Sequence, residues 1–205
     1  MYIIGFVDDD KDAFEDYKGR LARKDIELLY PEGHNDMDEI VEWIISNNIK
    51  CVIVDYKLKR KFKFLGTDLI TYINSILPDL PCIILTNYPE DSINEKLVIE
   101  SLIEDRSILD ANDIEAFVGK MKQAVEVFDN RIKIHTKEYL QLLKKKNNKT
   151  ITSKEEERFQ ELYKLLRGYG EIDSLPVDLL NSEIQNKIDE VLGKINSLIN
   201  NTGKR

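Results

Sequence analysis

The sequence predicts an α/β fold, a five-stranded parallel doubly wound sheet, followed by an all-α helical region. Three observations carry this. Short continuous apolar runs recur, of which Cys51-Val52-Ile53-Val54 is the clearest, and such runs fit strands buried on both faces of a parallel sheet. Between them lie segments with apolar residues at helical spacing, so strand and helix alternate as in βαβ units. From Ala111 onward the pattern becomes purely helical.

The first run, Tyr2 to Val7, leads into Asp8-Asp9-Asp10 and then a helix over about Asp12–Lys24 with Phe14, Tyr17 and Leu21 inward. Asp12 is the expected N-cap, with Glu15 three residues on. Ile26 to Tyr30 reads as a second strand stopped by Pro31-Glu32-Gly33, and Asp36 to Asn47 as a second helix. The third strand ends in Asp55 and is followed by a basic loop with five cations between Lys57 and Lys63. Thr67–Leu77 is a helix; Pro78 and Pro81 bracket the turn into the strand Cys82 to Leu85, which runs into Thr86. A short helix about Glu90–Lys96 precedes a fifth expected strand, Val98 to Ile103, ending in Glu104-Asp105-Arg106.

The division falls near residue 110. Residues 1–110 hold 13 Lys+Arg against 23 Asp+Glu, and residues 111–205 hold 17 against 15. In the second part, Ile114, Phe117, Met121, Ala124 and Phe128 open a helix of about 35 residues, or ~50 Å. Ser153-Lys154-Glu155-Glu156 has a capping-box pattern and starts a second helix burying Phe159, Leu162, Tyr163 and Leu166. A third runs from about Ser182, with Ile184, Ile188, Val191, Ile195 and Leu198 in a heptad seam of little more than two repeats, before residues expected to fray from Asn200.

Composition narrows the function. The acidic first half, within a net charge of −8 overall, argues against a nucleic-acid or anionic-membrane surface. No run approaches the ~20 apolar residues of a membrane span, and Met1-Tyr2-Ile3 lacks the basic start of a signal peptide, so a soluble cytoplasmic protein is expected. Cys51 and Cys82 both begin apolar runs and read as reduced core residues.

Right-handed crossovers put the carboxyl ends of all the strands on one rim. Asp8, Asp9, Asp55 and Thr86 then converge there, as a Mg²⁺ and phosphoryl site with Asp55 as acceptor. Each has a plainer reading: Asp55 as a turn residue, Thr86 as a strand-end hydroxyl bonding to backbone, Arg106 as a surface cation paired with Glu104 or Asp105. Convergence favours the chemical one.

These residues, in this order, resemble the receiver domain of two-component response regulators: an acidic pair after the first strand, a lone Asp after the third, Gly66 opening the next helix, Thr86 ending the fourth strand and a cation after the fifth. The resemblance covers residues 1–110 and implies the flavodoxin-like strand order 2-1-3-4-5. It implies that Asp8, Asp9, Asp55 and the backbone carbonyl of Lys57 hold Mg²⁺, that Asp55 accepts a phosphoryl group, that Thr86 bonds a phosphoryl oxygen and that Arg106 pairs with another. It also implies a histidine kinase or small phosphodonor upstream. The long helix joined to the converging carboxylates points to a protein partner engaged through residues 111–205, and that helix or the heptad seam offers a dimer interface.

The chain departs from that family where Arg106 replaces a Lys, where Asn87 replaces a small residue, where the loop after Asp55 is longer, more basic and without Pro, and where Ile103 lies near the place of a switch aromatic. Arg106 and Asn87 motivate a second reading, a pseudo-receiver that binds partners without phosphorylation. A third rests on Asp8-x-Asp10 and Thr86, which superficially resemble haloacid-dehalogenase-type phosphatases, with Asp8 as nucleophile and Asp10 as acid/base. No helix rich in Arg, Asn or Gln suggests DNA recognition.

Overall fold

The strand β3 (Val52–Val54) is bonded on both sides. It pairs in parallel with β1 (Tyr2–Val7), Val54 opposite Val7, and with β4 (Cys82–Thr86), Val54 opposite Ile84. Its three side chains are buried, as a continuous Val-Ile-Val run requires. In this computed structural model, which describes residues 1–58, 61–109 and 114–172, the sheet is completed by β2 (Ile26–Leu29) beside β1 and β5 (Ile103–Asp105) beside β4. All four pairings are parallel and the order is β2-β1-β3-β4-β5. The expected fold class and strand order are those observed.

Helices cover both faces. On one, Ile4, Phe6, Ile53, Ile83 and Leu85 share a core with Phe14, Tyr17 and Leu21 of α1 (Lys11–Ala22) and with Phe117, Val118, Met121 and Val125 of α5 (Ile114–Asn147). Gly5 points the other way, toward α2 (Met37–Ser46), where an added Cβ would come within 3.0 Å of the Trp43 ring. Val54 likewise meets α3 (Gly66–Ile76). This alternation is the period of two that lets one strand serve two helical layers. A short α4 (Pro89–Asn94) follows β4.

The chain forms two compact units, Met1–His135 and the residues from Thr136, which change over inside α5. In the second unit the end of α5 packs on α6 (Ser153–Gly168): the Tyr139 ring stacks on Phe159 at 5.0 Å, Lys146 lies over Phe159 and bonds Glu156, and Arg158 grips Glu138 with two nitrogens. The helix expected from Ser182 and the fraying end lie outside the described residues.

Three local expectations are corrected. The fifth strand is Ile103–Asp105 rather than 98–103, because Leu97 and Ile99 are 51% and 70% exposed and Glu100–Leu102 winds into a 3₁₀ turn before pairing begins. The N-cap of α1 is Asp10, whose carboxylate accepts from the amides of Asp12 and Ala13; Asp12 sits inside the first turn. The capping box of α6 joins Thr152 to Glu155 instead of Ser153 to Glu156, because the Thr152 hydroxyl is the one that reaches an N3 amide.

Candidate functional site

The parallel sheet ends β1, β3 and β4 on one rim, and Asp8, Asp55 and Thr86 stand there. Asp8 follows Val7 directly and is only 1% exposed. Its Oδ1 accepts the amide of Asp10 at 2.8 Å, an Asx turn that bends the chain from β1 into α1. Asp55 follows Val54 and is 8% exposed. Its Oδ2 accepts the amide of Lys57 at 3.0 Å, so the same device turns the chain at the end of β3. Asp9 is half-buried beside them.

One ligand oxygen from each of Asp8, Asp9 and Asp55 lies within 4.8 Å of the others. Such a set of hard carboxylate oxygens fits Mg²⁺, which takes one or two carboxylates and retains waters. The cleft above it, about 430 Å³, is also lined by Asp10, Lys57, Asn87, Tyr88 and Arg106.

Thr86 closes the third side. It is wholly buried; its hydroxyl is hydrogen-bonded to the Asp55 carboxylate and accepts the Tyr88 amide at 3.1 Å. Arg106, the first residue after β5, reaches back across the rim. Its Nη2 lies 2.6 Å from Asp8 Oδ2 and 2.9 Å from Asp55 Oδ1. One guanidinium nitrogen therefore bridges the two buried carboxylates. Lys57 enters through its main chain, while its ammonium turns to Asp91 at 3.3 Å and lies over the Tyr88 ring. Also in the basic loop, Lys61 lies over the ring of Tyr30; Lys59 and Arg60 are outside the described residues.

Burial and pairing pull the carboxylates in opposite directions. Enclosure pushes the Asp8 carboxyl up to about 6, against the Arg106 charge that draws it down. Asp55 is raised in the same way, burial outweighing Arg106 and the Lys57 amide. Three acidic groups with one guanidinium leave excess negative charge in a poorly hydrated place, a condition that favours a divalent cation.

Two supporting groups had no signal in the residue pattern. Tyr30, one residue past β2, donates its hydroxyl to the Asp8 carbonyl at 2.9 Å, and its position at the same rim is the only hint the chain offers. Glu95 accepts from Tyr56 at 2.8 Å and from Thr67 at 2.5 Å, tying the end of α4 to the residues beside Asp55 and Gly66.

No family model and no curated protein matches the chain. Among solved structures, it is similar to the signal receiver domain of an HD domain-containing protein from Pseudomonas fluorescens Pf-5, with 19% identity over 63% of this chain and 90% of that one and a TM-score of 0.49. A CheY-like response regulator receiver domain protein from Methanospirillum hungatei JF-1 has 19% identity over 64% and 98%, with a TM-score of 0.49. The response regulator TrrA from Thermotoga maritima, solved in complex with Mg²⁺-BeF, has 20% identity over 59% and 99%, with a TM-score of 0.47. At these identities the likeness concerns fold. The N-terminal part of the chain is thus similar to response regulator receiver domains, and its C-terminal region is unmatched.

Proposed function

We propose that the chain is a response regulator: residues 1–110 accept a phosphoryl group on Asp55 with Mg²⁺ present, and the helical residues 111–205, with α5 shared by packing, signal to a protein partner or a second copy of the chain. The observation that carries this reading is the gathering of Asp8, Asp9 and Asp55 at the ends of β1 and β3.

Each residue then has a chemical task. Asp8, Asp9, Asp55 and the Lys57 carbonyl would hold the metal, which supplies charge neutralisation for an incoming phosphoryl group. An Asp55 carboxylate oxygen attacks phosphorus, the P–O or P–N bond to the donor breaks, and the leaving group departs with that bond's electron pair, leaving an acyl phosphate. The donor is a histidine kinase or a small phosphodonor. Burial raises the Asp55 carboxyl, and the Arg106 charge and the Lys57 amide act against that rise. Thr86, already bonded to Asp55, would donate to a phosphoryl oxygen, and Arg106 would pair with another.

Incubation with acetyl phosphate and Mg²⁺ tests this by intact mass. Wild type gains one phosphoryl group and Asp55→Ala does not; modification equal in both, or in neither, overturns it.

The Arg106 bridge supports a second reading, a phosphorylation-independent interaction module in which an internal cation stands between the carboxylates. It requires partner capture unchanged by Asp55→Ala and by Mg²⁺.

A further inference from the structure

The bonds of Arg106 are unevenly spread over its guanidinium. Its contacts to Asp8, Asp55 and the Leu85 carbonyl all leave from Nη2, at 2.6, 2.9 and 3.5 Å, whereas Nε is buried with no acceptor. The side chain is 13% exposed, and the two carboxylates it bridges are two of the three in the acidic cluster.

Resting on the metal-assisted phosphoryl site above, we propose that Arg106 is a built-in competitor of the divalent cation: the two occupy the same pair of carboxylates in turn, so Arg106 must withdraw before the metal is fully held. The free oxygens on Asp8 and Asp55 are few, because Oδ1 of Asp8 and Oδ2 of Asp55 already receive the amides of Asp10 and Lys57. The oxygens left are those on Nη2. A divalent ion there would share its ligands with a guanidinium already within 2.9 Å of both oxygens, and the two positive charges would repel in a poorly hydrated space.

Withdrawal is feasible because the fork is not locked. A guanidinium gripped through both outer nitrogens resists rotation; one held through a single nitrogen, with Nε unpaired, loses no further bond by turning about it. The apparent metal affinity is then the intrinsic affinity reduced by the fraction of molecules in which Arg106 has left. By linkage, the metal loosens Arg106 as much as Arg106 weakens the metal. Arg106 thus sets how much Mg²⁺ the site needs.

The test uses the full chain titrated calorimetrically with MgCl₂ and MnCl₂. Arg106→Gln, which keeps a polar end on a shorter side chain and removes the charge, is expected to bind both ions about tenfold more tightly than wild type. Arg106→Lys, whose flexible point charge withdraws more freely, falls between. In wild type, the Nε–H resonance of Arg106 shifts on saturation with Mg²⁺. Equal or weaker binding by Arg106→Gln, or a resonance unmoved by saturating Mg²⁺, overturns the proposal while leaving the metal site standing. Uptake of neither ion by wild type and variant at roughly tens of millimolar overturns both. If Arg106→Gln fails to fold, the Lys variant and the resonance decide.

Discussion

Gly66 approaches Asp55 so closely that a Cβ on residue 66 would lie 2.1 Å from the Asp55 carbonyl oxygen and 2.9 Å from its carbon. The Gly66 amide also donates to the Tyr56 carbonyl at 2.9 Å, which pins the start of α3 under the end of β3. Backbone is the obstacle, so no rotamer change relieves it. Gly66→Ala is expected to lose about 2–3 kcal/mol of unfolding free energy. A urea midpoint that falls with an unchanged slope is the confirming result; an unchanged midpoint refutes the close approach.

The buried Asp8 carboxyl makes stability depend on pH in an unusual direction for an aspartate. Its folded value is pushed up to about 6 by burial, against about 3.9 in an unfolded chain. Between those values the folded state holds the extra proton, so the contribution of Asp8 to stability is greatest below pH ~4 and is lost as pH rises through ~6. Asp8→Asn, which removes the buried charge, should therefore be more stable than wild type at pH 7.5 by about 1–3 kcal/mol in metal-free buffer. That gain should shrink at pH 4. Urea unfolding of both proteins at the two pH values measures it, and a gain independent of pH contradicts the shift.

Glu95 receives two hydroxyl donors, and one of them, Thr67, is wholly buried. Glu95→Ala strands that hydroxyl and should cost about 1–3 kcal/mol. Removing the donor as well, in Thr67→Val with Glu95→Ala, should cost less than the two single changes added together. Additive losses in thermal unfolding would show that the bond contributes nothing.

In the second unit the cap of α6 is open to a simple comparison. Thr152→Ala should lower its stability by about 1 kcal/mol, and Ser153→Ala should leave it within about 0.5 kcal/mol. Far-UV dichroism during heating separates the two, and a larger effect at Ser153 would restore the other capping box.

The strands at the centre of the sheet were legible because burial on both faces leaves no room for a polar residue: Val52 to Val54 and Cys82 to Leu85 are uninterrupted, and the first polar residue after each marks the rim. The edge was harder. β5 is Ile-Glu-Asp, more polar than Leu97-Val98-Ile99 before it, of which Leu97 and Ile99 are exposed, so hydrophobicity pointed to the wrong residues. Caps slipped by one or two positions because Asp10 and Asp12, like Thr152 and Ser153, are chemically equivalent in sequence, and only the reach of a side chain to a particular amide distinguishes them. The convergence of Asp8, Asp9 and Asp55 could be read from strand order. That one nitrogen of Arg106 spans two of them could not, since it depends on where a long side chain comes to rest. Tyr30 escaped for a related reason: its hydroxyl meets a backbone carbonyl, a partner that leaves no trace in residue identity.

The packing of Trp43 against Gly5 has an experimental consequence. It is the chain's one tryptophan, it is buried, and it belongs to the Met1–His135 unit. Indole emission therefore follows the melting of the sheet and says nothing of α6, whereas helical dichroism sums over both units. Traces from the two probes that coincide on heating mean a single cooperative transition; traces that separate give the order in which the halves come apart.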